Sequence, residues 1–136
     1  MDELIKAIVS KLSGSALSSD VNGRVFLDCA PDGCEFPYIV FFVVSSVPDW
    51  QFTERFEDTL IQFSLFSSSE SAVEITGMLK DLKFLFDDCS LTITGDVLVW
   101  FRRQNITTMV EDITTSAGTQ NVKHYAVDYE AKVQTD

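Results

Sequence analysis

The sequence predicts an α+β fold: a single antiparallel-rich, mixed β-sheet with two α-helices packed on one face. Three observations carry this. Apolar residues recur at helical spacing over Leu4, Ile5, Ile8 and Leu12, and again over Ala72, Ile75, Leu79, Leu82 and Phe86. The last segment alternates strictly, with Tyr125, Val127, Tyr129, Ala131 and Val133 between His124, Asp128, Glu130, Lys132 and Gln134, the period of a strand with one buried and one wet face. Between them lies "YIVFFVV", Tyr38 to Val44, a continuous apolar run closed by Ser45, Ser46 and Pro48; a run without alternation is covered on both faces and belongs near the centre of a sheet.

The elements follow in order. Asp2 to Leu12 is the first helix, with acids in its first turn complementing the macrodipole, and Ser13-Gly14-Ser15 ends it. Ala16 to Gly23 reads as a polar connection closed by the Asn22-Gly23 turn, Arg24 to Asp28 as a short strand, and Ala30 to Pro37 as loop broken by Pro31, Gly33 and Pro37. Tyr38 to Ser46 is the second strand. Val47 to Glu57 reads as an excursion, because Pro48-Asp49 is turn chemistry and Trp50, Phe52 and Phe56 fit no single period. Asp58 to Ser67 resumes strand, with Ile61, Phe63 and Leu65 on one face and Gln62 and Ser64 on the other. The second helix opens at a capping box, Ser67-Ser68-Ser69-Glu70 or Ser71-Ala72-Val73-Glu74, and continues to Phe86, with Gly77 costing it about 1 kcal/mol relative to Ala. Asp87-Asp88 is its exit. Ser90 to Thr94, the Gly95-Asp96 turn and the arm beyond predict a hairpin whose second arm reaches Asn105 or Val110, and Thr114 to Asn121 predicts a loop before the final strand.

Composition bounds the function. The 136 residues are the size of one domain, read here as spanning 1–136, and 46% hydrophobic content with 11 Phe supplies a core. A membrane span needs about 20 apolar residues, far more than the run at Tyr38, so no membrane partner is expected. The first residues put acids where an export signal puts positive charge, and no export is expected. Cys29, Cys34 and Cys89 form an odd set without framework spacing, as thiols kept reduced do. The net charge of -11, from 21 acids against 10 bases, opposes any grip on a phosphate backbone.

No constellation of catalytic residues emerges. His124, the chain's single histidine, falls on the polar face of the last strand; Cys29, Cys34, Cys89 and His124 are all the soft ligands a metal centre would have; and Gly-x-Ser-x-Gly, phosphate-loop and His-Glu-x-x-His patterns are absent. Asp87-Asp88 and Glu111-Asp112 read as solvated turns or loops. No catalytic residue, cofactor or metal is therefore assigned. What remains is apolar residue in segments that should be wet: Trp50 and Phe52 beside Arg55 in the excursion, and Ile113 beside Glu111 and Asp112. Aromatics in loops are candidate contact residues for a partner, unless they fold back to finish the core. Arg102 and Arg103 follow Trp100-Phe101, and as strand neighbours they point to opposite faces.

The stretch "NGRVFLDCAPDGCEFPYIVFFVVSS", the N-terminal helix before it and "FEDTLIQFSLFSSSESAVEITGMLKDLKFLFD" after it resemble the small tail-completion, or tail-terminator, proteins of long-tailed (siphovirus-like) phages and prophages. The similarity rests on a strand ending near Asp28, the loop with Ala30-Pro31 and Gly33, Pro37-Tyr38-Ile39-Val40 leading into an apolar strand, and an "IQFSLFS" strand followed by a helix. This resemblance implies a structural protein of the virion tail, assembled in the host cytoplasm. It implies a ring of copies, commonly six, at the head-proximal end of the tail tube, ending tube growth and joining the head connector. The implied partners are other copies of itself, the major tail tube protein and the head-connector (stopper) protein, with DNA passing through the lumen unbound; an acidic lining would let it slide. The resemblance supplies no interface motif, so Trp50, Phe52, Arg55, Glu111, Asp112 and Ile113 stand on the loop reading alone. Competing with it are a monomeric peptide- or protein-binding, chaperone-like module and a small enzyme acting through His124 or Cys29.

Overall fold

Leu4, Ala7, Ile8 and Leu12 fall on one side of a helix and are buried, and helix α1 spans Asp2–Leu12 as its spacing predicts, with Asp2 and Glu3 in the first turn and Lys11 in the last. The computed structural model describes residues 2–115 and 118–135. The expected connection after α1 contains a further helix, α2, Ala16–Asp20. Ser15 makes it: its hydroxyl accepts from the Ser18 N–H at 3.1 Å, and Leu17 turns into the core. One buried leucine in five residues is too little periodicity to announce a helix in sequence.

Helix α3, Val73–Phe86, buries Ile75, Met78, Leu82 and Phe86. Neither capping box forms. The N-cap is Ala72, exposed and without a side-chain cap; Ser67 Oγ instead donates to Glu74 at 2.6 Å, and Ser71 Oγ accepts from the Val73 N–H at 3.2 Å. Lys123 closes this entry by donating its ammonium to the carbonyls of Ser69 and Glu70.

The helices cover one face of a five-stranded sheet ordered β1-β2-β3-β5-β4. β1 is Val25–Leu27, β2 Tyr38–Gln51, β3 Glu54–Ser67, β4 Val97–Thr115 and β5 Gly118–Gln134. β1 runs parallel to β2 and the other pairs are antiparallel, which makes the sheet mixed and the fold α+β. Three expectations are corrected. The excursion at Val47 to Glu57 is the far end of a hairpin, with Gln51 opposite Glu54; no β2 residue from Val44 to Gln51 is buried, so no alternation marks the strand there and the Pro48-Asp49 turn signal stands alone. The loop expected at Thr114 to Asn121 is mostly strand, Thr115 facing Gly118 across the β4–β5 pairing; Ser116 and Ala117 lie outside the described residues. Ser90 to Thr94 is not a strand; Ile93 is buried from coil, and the segment serves as lead-in to β4, with the Asp96 N–H bonded to the Ile93 carbonyl.

The expectation that β2 is covered on both faces holds where β1 flanks it, at Ile39, Val40 and Phe41, and fails from Val44 onward, where its side chains emerge. The core is one cluster on the helix side, joining Ile39 and Phe41 to Ile61, Phe63 and Leu65, to Val127, Tyr129, Ala131 and Val133, and to the buried helix residues. Phe63 is at its centre, with ring centroids 5.7 Å from Phe41, 4.8 Å from Phe86 and 5.7 Å from Tyr129. The Tyr129 hydroxyl donates to Asp87 Oδ1 at 2.6 Å, and Arg103 Nη2 lies 3.6 Å from Asp87 Oδ2. Asp87 is therefore a strut between α3, β5 and β4 and not the solvated turn residue expected.

Candidate assembly surfaces

The β2–β3 ladder continues past the end of β5 and carries the first group of expected contact residues. The turn has Phe52 and Thr53 between the paired Gln51 and Glu54, and Phe52 takes a positive φ of 52°. A two-residue hairpin turn needs a left-handed residue, normally Gly. Here a phenylalanine holds it, with its ring entirely in solvent at 109% relative exposure. Trp50 is 65% exposed, and the guanidinium of its cross-strand partner Arg55 sits 5.0 Å from the indole centroid. These aromatics do not fold back onto the core.

The second group lies at the other end of the sheet. β5 is 17 residues long, so its two ends are roughly 50 Å apart at ~3.3 Å per residue. Past Lys123, the last residue of β5 that pairs with β3, β4 and β5 continue as a two-stranded arm through Glu111, Asp112 and Ile113, opposite Val122, Asn121 and Gln120. Glu111 and Asp112 are exposed on it, with Val110 exposed at its base; the Ile113 side chain lies outside the described ones. Trp50, Phe52 and Arg55 thus form one patch, and Glu111 and Asp112 a separate acidic one.

The sheet face away from the helices holds two arrangements that the sequence did not announce. In the first, Lys132, expected on a wet face, is buried: its Nζ donates to Asp49 Oδ2 at 2.7 Å, stands 3.5 Å from Asp58 Oδ1, and lies 5.2 Å and 5.1 Å from the Phe56 and Trp100 ring centroids. The hydrogen bond to Asp49, opposed by burial and reinforced by Asp58, raises the lysine pKa; the same bond lowers that of Asp49. The Arg102 guanidinium also lies over Trp100, 4.1 Å from its ring centroid, while Arg103 pairs with Asp87, so the two arginines divide between faces as expected. This network fixes the base of the β2–β3 hairpin to β4 and β5.

The second is an aromatic row: Tyr38 stacks on Phe66 at 4.8 Å, and Phe66 on His124 at 4.2 Å, with Phe36 closing on Tyr38 at 5.2 Å. Register makes it, since Tyr38 faces Phe66 and Phe66 faces His124 across three strands. The His124 Nδ1 stands 3.5 Å from Glu111 Oε1. Beside the row, the loop between β1 and β2 overhangs the sheet and leaves an open groove of about 580 Å³, lined by Phe36, Tyr38, Val40, Phe42 and Phe66, with Asp28, Asp32, Cys29 and Cys34 from the loop. Both cysteines are free, and His124 is not among the residues lining the groove. Among the described residues, no three His, Cys, Asp or Glu side chains gather as metal ligands.

The sheet thus carries a bare aromatic tip at one end and an exposed acidic arm at the other, the kind of surface from which contact residues are drawn. The sequence pattern of the family described as tail completion protein gp17 matches residues 4–134, and the chain belongs to that family. It is a structural protein of the phage tail, and its place is in the virion tail. Among solved structures, a chain titled "Virion of native gene transfer agent (GTA) particle" shares the fold with a TM-score of 0.73 at 12% identity, over 95% of this chain and 92% of that one. A second solved chain matches with a TM-score of 0.56 at 13% identity, over 96% of this chain and 94% of its own length. No curated protein matches in sequence.

Proposed function

We propose that residues 1–136 act as one tail-terminator domain that assembles into a ring, hexameric in its mature form, on the head-proximal end of the tail tube, where it ends tube growth and joins the tail to the head connector. The observation that carries this reading is the placement of two chemically distinct contact surfaces, the Trp50-Phe52 tip and the Glu111-Asp112 arm, at opposite ends of one rigid sheet. A closed ring needs two different self-surfaces per subunit, and a junction needs further faces for tube and head. The partners are therefore other copies of the chain, the major tail tube protein and the head-connector protein. The net charge of -11 suits a conduit through which DNA must slide without being held.

The experiment is tube termination. Purified protein is titrated into polymerising tail tube protein, with tube length and end density read by electron microscopy and complex mass by native mass spectrometry. Shortened tubes capped by a ring, and no capping by Trp50→Asp, are expected. Absence of any complex at all concentrations refutes the reading, and a stable one-to-one complex of a monomer with the tube subunit points instead to a chaperone-like module.

A further inference from the structure

The groove and the hairpin tip are matched in chemistry and cannot meet within one chain. The groove floor is aromatic and aliphatic, Phe36, Tyr38, Val40, Phe42 and Phe66, and its rim carries Asp28 and Asp32. At about 580 Å³ it falls within the roughly 300–1,000 Å³ of cavities that enclose ligand-sized bodies, which leaves room for an aromatic tip. The tip offers such a body: Phe52 and Trp50 stand in solvent, with Arg55, exposed, laid against the indole. Groove and tip lie at opposite ends of β2, whose 14 residues span about 45 Å at ~3.3 Å each. Pairing with β3 along its whole length keeps β2 from folding back. The acidic arm does not suit the groove, because Glu111 and Asp112 would meet Asp28 and Asp32.

We propose that the β2–β3 tip of one copy seats in the groove of the next, Phe52 and Trp50 against the aromatic floor and Arg55 against Asp28 and Asp32. This rests on the ring reading above and names the contact that builds it. A surface patch that fits a pocket elsewhere on the same molecule makes a heterologous contact, which repeats until the rotation closes. The positive φ at Phe52 then has a purpose, since it belongs to the tight turn that leaves the ring wholly in solvent and free to enter a groove.

The groove rim already carries the exposed thiol of Cys29, so Thr53→Cys places a second thiol at the tip. Oxidation of Thr53→Cys protein with copper-phenanthroline should give a ladder of covalent multimers on non-reducing gels, lost when Cys29 and Cys34 are replaced by Ser. Arg55→Glu or Asp32→Lys alone should weaken self-association at least tenfold in analytical ultracentrifugation, and the two together in one chain should restore it. Phe52→Gly, which keeps the turn, and Ala30→Trp, which fills the groove, should each be monomeric and should form a one-to-one dimer when mixed, because one tip and one groove remain intact. If wild-type protein forms rings while Thr53→Cys gives no ladder and the charge variants are neutral, this contact is overturned and the ring reading stands. If wild-type protein stays monomeric at every concentration, alone and with tail tube protein, both fall.

Discussion

Replacing Tyr129 with Phe isolates the strut that ties helix α3 to the sheet. The hydroxyl donates at 2.6 Å to Asp87, the residue that ends α3, and Asp87 in turn holds Arg103 of β4 at 3.6 Å. Burial, and then the bond to Asp87, push the Tyr129 pKa well above its ordinary value, so the phenol is protonated and able to donate at neutral pH. A hydrogen bond to a charged group contributes about 1.5–3 kcal/mol. Asp87 is one-third exposed and can recruit water when the hydroxyl is gone, and Phe fits the site without a cavity, so the loss falls at the low end, about 1.5 kcal/mol. With a urea dependence of about 2 kcal/mol/M for a chain of this size, the midpoint should drop by roughly 0.7 M. Equilibrium urea unfolding followed by far-UV circular dichroism reads it directly. Asp87→Ala should cost at least as much, because it strands a buried hydroxyl, and a double-mutant cycle of Tyr129→Phe with Arg103→Gln should show coupling through the shared carboxylate. A Tyr129→Phe midpoint within about 0.2 M of the parent would show that the strut contributes nothing.

Four further outcomes follow from the same structure. Phe52→Gly should raise stability by about 1 kcal/mol by relieving the left-handed phenylalanine while abolishing self-association, measured by thermal unfolding and ultracentrifugation on one preparation. Asp20 is held to a pKa of about 6, first by burial and then by Asp81, so its ionised form is disfavoured by the fold: the cost is complete above that pH and fades as pH falls toward the ordinary carboxylate value. Asp20→Asn should therefore stabilise by about 1 kcal/mol at pH 7.5, after discounting for solvent screening at an exposed site, and by almost nothing near pH 4 in paired urea titrations. Burial pushes the Cys89 thiol up to about 11, so at pH 8 alkylation followed by mass spectrometry should label exposed Cys29 at least about a hundredfold faster than Cys89. Joining Glu111 to Val122 through Asn-Gly removes the arm beyond Glu111, Asp112 with it; with Asp112, Gly118 and Asn121 all exposed, the stability change should stay under about 0.5 kcal/mol, and the tip-in-groove contact should remain while docking to tube or head is weakened in co-sedimentation.

What could be read from the sequence depended on how regular each segment is. Helix α1 and the His124 to Gln134 part of strand β5 carry unbroken periods of their own kind and stand where their spacing puts them, while β5 runs on past that alternation to Gly118. Strand β4 reads as one arm despite bulges after Leu98 and Arg103, whereas β2 is lost after Ser46: from Val44 to Gln51 none of its residues is buried, so no inside-outside alternation outweighs the turn chemistry of Pro48-Asp49. That is why the hairpin bearing Trp50 was legible as exposed aromatic surface but not as a hairpin. The groove was illegible for another reason. Phe36, Val40 and Phe66 become neighbours only through strand register, and no local pattern encodes which strands pair. Lys132 shows the same limit: it alternates as a solvent-facing residue should, yet Trp100 and Asp49, each from a different strand, close over it.

The length of the strands relative to the core explains where contact surface can exist. The three-strand pairing of β3 with its neighbours runs from Phe56 to Ser67, and the buried helix residues pack over that middle section. Beyond it at one end β2 and β3 continue as a ribbon, and at the other β4 and β5 do the same. A two-stranded ribbon satisfies its own backbone but buries little and is at best marginally stable by itself in water. Its side chains are therefore free of the packing constraints that fix Phe63 or Tyr129, and a phenylalanine in a left-handed turn or a pair of adjacent acids can be held there at small cost to the fold. On the ring proposed above, this divides the chain's work: the covered middle sets rigidity and orientation, and the two uncovered ends, pointing in opposite directions, would be the parts that meet other subunits.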